Sequence, residues 1–231
     1  MLQISRILLI AIAGLVPSFA ASGSPVTIFN NGPANQRQGA LLVTPAGDQV
    51  TVADDFSVSE LYVLTGLTFW TVAGGNPTEL DVSYALYSDG AGEPGAVLTS
   101  GNVSGLTGVP SAPPSGMQWI LGLTSPYYSL LPGVDYWISV SVNSSDVDGL
   151  SWQYTNSRSG SPALGRLGSG ASATNPPISF PANTWLDIFG ADTAFQLTGE
   201  VPVASPLMLL LFAIPGVLVV KWRRSSDSQS T

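Results

Sequence analysis

The side chains able to carry catalysis here are carboxylates, because the 231-residue chain has no histidine and no cysteine. That removes the commonest general base, the commonest zinc ligand, the thiol nucleophile and any disulfide framework together. Three acidic pairs remain: Asp54 with Asp55, Asp146 with Asp148, and Asp187 with Asp192. Two carboxyl groups held at the right separation across a sugar can hydrolyse a glycosidic bond. Asn143-Ser144-Ser145-Asp146-Val147-Asp148-Gly149 offers oxygen ligands at alternate positions and then a glycine, as calcium loops do. Asp146 and Asp148 are therefore the candidate metal ligands, although an Asx-rich turn reads the same way and the closing glutamate of an EF-hand is missing. No serine lies in a G-x-S-x-G elbow, and no phosphate-binding glycine loop is present. Stacking on a sugar is the other chemistry open to the chain. Trp70, Trp119 and Trp185 lie in apolar segments and read as core, whereas Trp137 falls on the polar face of its strand and is the candidate ligand platform.

The elements that must position these residues are strands. Between Ser22 and Gly199 short alternating segments are punctuated by Gly, Pro, Ser, Thr and Asn, with no sustained helical period. Ser22–Asp48 reads as a lead-in with one strand over Val26–Phe29. Asp54-Asp55-Phe56 is expected to open the next strand, followed by Tyr62–Val72, in which Gly66 marks a bulge or a close approach. Asp81–Tyr87 alternates, with Val82, Tyr84 and Leu86 on one face; a turn-rich loop follows, and the chain returns from Ala96. Gly105–Gly116 reads as loop and Met117–Leu123 as strand. Tyr136–Val142 alternates strictly, placing Trp137, Ser139 and Ser141 opposite Tyr136, Ile138, Val140 and Val142. Leu150–Tyr154 comes next, then a Ser/Gly/Pro-rich loop over Ser157–Pro181, then strands at Trp185–Phe189 and Ala194–Leu197. Eight or nine strands in about 180 residues predict an all-β, jelly-roll-like antiparallel sandwich, with its core over about residues 50–199.

Charge and the two ends indicate where such a domain works. Residues 21–200 hold fourteen Asp and Glu against Arg37, Arg158 and Arg166, a net of −11. An acidic body of this kind does not neutralise phosphates, which excludes nucleic acid as partner. Met1–Ala20 reads as a secretory signal: Arg6, the apolar stretch Ile7–Val16, then a small-residue cleavage site ending at Ala20. Val203–Val220 carries no charge and would reach roughly 27 Å as a helix, close to the hydrocarbon thickness of a bilayer. Lys221, Arg223 and Arg224 follow it at once, the flank expected on the cytoplasmic side, with Ser225–Thr231 as a cytoplasmic tail. The chain is expected to be exported and then held by its C-terminal segment, Val201–Arg224.

A signal peptide, a β-rich body, then Val201-Pro202, an apolar run and the bases Lys221, Arg223 and Arg224 resemble exported bacterial proteins with the Pro-Glu-Pro (PEP-CTERM) C-terminal sorting domain. The family's Pro-Glu-Pro is here Pro202-Val203-Ala204. The resemblance implies a membrane stage, with a transpeptidase of the exosortase type as partner. The body is similar to β-sandwich domains found upstream of such tails. It shares Ala53–Phe56, Leu86–Gly90 with Pro94-Gly95, Tyr136–Val140 and Ala194–Gly199, in that order. These features predict a non-enzymatic structural or adhesive protein at the cell envelope or in extracellular matrix. A polysaccharide-binding module and a calcium-dependent adhesion domain are the alternatives, and a glycosidase is a third.

Overall fold

The structure is a computed structural model. It describes residues 24–43, 49–72, 77–111, 116–123, 127–143, 149–156, 160–167, 184–187 and 190–202. Asp146, Asp148, the predicted signal and the segment from Val203 through Lys221, Arg223 and Arg224 lie outside them. Residues Ser24–Val201 form one compact unit.

That unit is all-β, and every ladder in it is antiparallel. The strands are β1 (Val26–Asn30), β2 (Ala34–Leu41), β3 (Val50–Ser57), β4 (Tyr62–Val72), β5 (Glu79–Asp89), β6 (Pro94–Thr107) and β7 (Val109–Ser111). They continue with β8 (Gly116–Gly122), β9 (Tyr128–Leu130), β10 (Asp135–Val142), β11 (Ser151–Thr155), β12 (Leu164–Leu167), β13 (Leu186–Asp187) and β14 (Phe195–Glu200). β4 is the axis of an eight-stranded sheet: it pairs with β14, β11, β8 and β9, while β1, β2 and β7 pair farther out. Its β-branched and aromatic residues suit a strand buried on one face and paired on both edges. The second sheet runs β13-β12-β3-β10-β5-β6.

The sheets share one core. From the first come Leu64, Leu67, Phe69, Trp119, Leu121, Trp152, Phe195 and Leu197; from the second, Val52, Phe56, Val82, Tyr84, Leu86, Tyr136, Ile138 and Val140. Phe56 and Phe195 meet edge to face across the gap at 6.4 Å between centroids, and Phe29 packs on Phe195 at 5.2 Å. Such offset geometries are favoured by the ring quadrupoles. The buried indoles are satisfied: Trp119 donates to Thr71 Oγ1 at 2.8 Å and Trp152 to the Ala194 carbonyl at 2.8 Å. The close approach expected at Gly66 is present, since a Cβ there would sit on the Thr198 hydroxyl.

Four sequence expectations are corrected. β2 runs through the Asn/Gly-rich lead-in and β12 through the Ser/Gly/Pro-rich segment, where polar composition had suggested loop. Each is fixed by pairing with a stronger neighbour, β11 and β3 respectively. β6 continues to Thr107, and Val109–Ser111 forms β7 inside the expected Gly105–Gly116 loop. Asp54 and Asp55 stand in the middle of β3 and do not open it. The core also takes in Ala40, Leu42 and Val43.

Candidate functional site

The acidic pair Asp54–Asp55 is divided between the two faces of β3. Asp54 points inward and is fully buried. Its Oδ2 accepts from the Thr193 N–H at 2.6 Å, the Thr193 hydroxyl at 2.8 Å and Asn31 Nδ2 at 3.3 Å. Its Oδ1 accepts from the Asp55 N–H at 2.9 Å. Burial pushes this carboxyl well above its ordinary pKa, against the pull of the Thr193 hydrogen bonds. Asp55 faces the other way, where both its oxygens accept from the Ser161 N–H at 3.0 Å. Burial raises it to about 6, with the Asp192 charge acting in the same direction. Two carboxyls on opposite faces of one strand do not flank a substrate, so this pair is corrected from candidate acid and base to a structural tie. Asp192 is likewise buried, while the exposed Asp187 accepts from the Gly190 N–H at 2.8 Å in a turn. Among the described residues no three acidic side chains gather as a metal site.

Trp137 is also corrected. It lies on the outer face of β10, as alternation requires, but it is 0% exposed. A second, smaller cluster covers it there: Ala53, Ala85, Tyr87 and Leu164, with Trp185 packed against them. Its indole N–H donates to Asp89 Oδ1 at 3.0 Å. That bond, with those from the Ala91 and Gly92 N–H groups, holds the exposed Asp89 carboxyl below its ordinary pKa. Sequence alternation separates two faces of a strand but does not say that the second face is wet.

Beyond this aromatic end the same face becomes polar, and the register explains how. Arg166 pairs with Thr51, Ser141 with Ser83, and Ser83 with Asn102. Val52 pairs with Val140, which places Thr51 beside Ser141. An uninterrupted polar row, Arg166-Thr51-Ser141-Ser83-Asn102, therefore crosses five strands. The neighbouring row is Leu164-Ala53-Ser139-Ala85-Ser100, mostly small side chains. Small residues between a polar row and an aromatic wall leave a depression of about 230 Å³, open to solvent. Tyr87 stands at the boundary, 3.5 Å from the Ser139 hydroxyl. At the far side Asn143 Nδ2 donates to Ser83 Oγ at 2.6 Å, and Ser83 Oγ donates to Asn102 Oδ1. These bonds fix the orientation of the Asn102 amide.

Arg166 enters this floor from β12, and its guanidinium lies 4.7 Å from the centre of the Trp185 ring. A guanidinium held over an aromatic face by the cation–π attraction can still offer N–H donors to a ligand. Sequence reasoning counted Arg166 only as charge. The signal that could have found the depression is the run of small or polar residues at alternate positions, Ser83 and Ala85 on β5, Ser139 and Ser141 on β10, and Ser100 and Asn102 on β6. A scan against protein-family models finds no match to the chain, and a search of curated proteins finds no significant relative.

Proposed function

We propose that this chain is an exported, jelly-roll-like adhesive domain, held at the membrane by its C-terminal segment, which binds extracellular polysaccharide on the outer face of its second sheet. The polar row and depression at Thr51, Ser83, Asn102, Ser139, Ser141 and Arg166 carry this reading. Hydroxyl and amide groups in fixed positions suit a polyhydroxylated ligand, since each can both donate to and accept from sugar hydroxyls. The volume falls below the roughly 300–1,000 Å³ of sites that enclose a whole small molecule, so the fit is to one residue of a polymer lying across the face. Binding is the proposed mode because Asp54 and Asp55 point to opposite faces of β3 and do not flank a common ligand.

The address in this proposal rests on the sequence: Met1–Ala20 for export, Val203–Val220 with Lys221, Arg223 and Arg224 for retention, and Val201-Pro202 as the start of the exosortase-type segment. The test of the binding function is retardation of the full-length protein, in mild detergent, by a panel of soluble polysaccharides in native gels. Ser100→Trp, which fills the depression from the exposed edge of its floor, is expected to abolish retardation. Equal retardation of wild type and Ser100→Trp would overturn the assignment of the site.

A further inference from the structure

We infer that the ligand at this depression is an acidic saccharide, with Arg166 taking the carboxylate of a uronate residue while Ser83, Ser141 and Asn102 hold its hydroxyls. The inference rests on the polysaccharide-binding reading above and adds the charge of the ligand.

Three observations point to it. The exported body is strongly acidic, with fourteen carboxylates against three arginines in residues 21–200, yet no carboxylate lines the depression among the described residues. The one charged side chain lining it, among the described residues, is Arg166. Among the described residues no carboxylate forms an ion pair with this guanidinium; its described partner is the Trp185 ring. An arginine already held over an aromatic ring loses less rotamer freedom when it engages a ligand. The guanidinium presents parallel donors in a fork that matches a carboxylate.

The rest of the floor selects for a sugar over an acidic peptide. Thr51, Ser83, Ser139 and Ser141 supply hydroxyls and Asn102 an amide, and Tyr87 adds an aromatic edge, a mix suited to a sugar ring. Asn102 and Asn143 are already cross-linked through Ser83, so the hydroxyl-reading part of the site is ordered before binding. The acidic surroundings of the body act against any polyanion that does not reach Arg166, which gives the site discrimination as well as attraction.

The experiment compares polygalacturonate, a sulfated galactan and neutral dextran as gel additives for the full-length protein in mild detergent. Wild type is expected to be retarded by polygalacturonate and not by dextran, and retardation is expected to fall at about 0.5 M salt, where screening shortens to a few ångströms. Arg166→Gln is expected to weaken binding to polygalacturonate by about tenfold or more, the loss of a charge-assisted pair. Arg166→Lys, which keeps the charge without the fork, is expected to fall between the two. Ser100→Trp should abolish binding with Arg166 in place, so the conclusion does not depend on the folding of one variant. Preference for the sulfated polymer over the uronate would overturn the carboxylate assignment. Equal retardation by dextran and polygalacturonate, or an Arg166→Gln protein that binds polygalacturonate as wild type does, would overturn the inference while leaving polysaccharide binding intact. Retardation by none of the three polymers would overturn both.

Discussion

Asp54 and Thr193 are joined twice, by the backbone N–H and by the hydroxyl of Thr193, both donating to Asp54 Oδ2. Asp54 sits in the middle of β3, in the six-stranded sheet, and Thr193 lies just before β14, in the other. One carboxylate thus fastens the two sheets across their shared interior, with Asn31 as a third donor. Asp54→Ala leaves these buried donors without an acceptor. It is expected to lower stability by about 2–3 kcal/mol, the scale of leaving buried polar groups unsatisfied. Chemical denaturation measures this, and a change below about 0.5 kcal/mol would show that water or rearrangement replaces the carboxylate.

The pH dependence of stability follows from the same strand. The pKa of Asp55 is raised from 3.8 to about 6, and that of Asp54 is raised as well. Between those values the folded chain holds protons that the unfolded chain releases, so stability declines as pH rises through the window. The melting temperature is expected to be higher at about pH 5 than at about pH 7.5. Asp55→Asn should flatten the difference, since it removes the titration and keeps an oxygen for the Ser161 N–H. A melting temperature that climbs steadily from the lower to the higher pH would contradict the environment described for both residues.

Trp137 and Asp89 make a second test of the buried indole. Trp137→Phe keeps an aromatic ring in the outer cluster but removes the N–H that Asp89 accepts. The Asp89 pKa, followed by its carboxyl carbon shift in NMR, is expected to rise toward its ordinary value. An unchanged titration would mean that the Ala91 and Gly92 N–H groups suffice on their own.

Gly101 and Tyr84 are cross-strand partners, and a Cβ on Gly101 would stand 2.5 Å from the Tyr84 hydroxyl oxygen and 2.6 Å from the carbon bearing it. Tyr84 is buried and has little room to retreat. Gly101→Ala is expected to destabilise by about 1–3 kcal/mol through overpacking. Tyr84→Leu should relieve part of that cost in the double variant, and a double-mutant cycle reads the coupling. Strictly additive losses would refute the contact.

For the anchor, Leu210→Asp with Leu211→Asp is expected to release the protein from the membrane fraction. Each acid costs roughly 2.5–3.5 kcal/mol near the centre of a spanning helix. Cell fractionation with mass spectrometry of the mature C-terminus reports both retention and any cleavage near Pro202. A wild-type protein found soluble and uncut through Thr231 would end the anchor proposal.

What the sequence made legible was the set of strands whose own pattern declares them. β4 is rich in β-branched and aromatic residues and its expected bounds match, and β5 and β10 alternate cleanly. β2 and β12 carry no such pattern, because their place is set by partners more than a hundred residues away in sequence. The depression was illegible for a related reason. Ser83, Ser141 and Arg166 are unremarkable in their own segments and become a site only through register. Trp137 misled because a polar-face position was equated with exposure, whereas Trp185 and Leu164 give that end of the sheet a second cover.

β14 is the last strand of the body, and it lies inside the sheet, paired with β1 on one side and β4 on the other. If Val201 is the point of attachment to a membrane, a tug on bound polysaccharide is resisted through this strand. A pull along β14 must slide it past both neighbours at once, shearing two ladders together instead of unzipping one rung at a time. A strand at the sheet margin would be held against the same pull by a single ladder. On the proposed function, the internal position of β14 would let the body carry load between its attachment and its ligand.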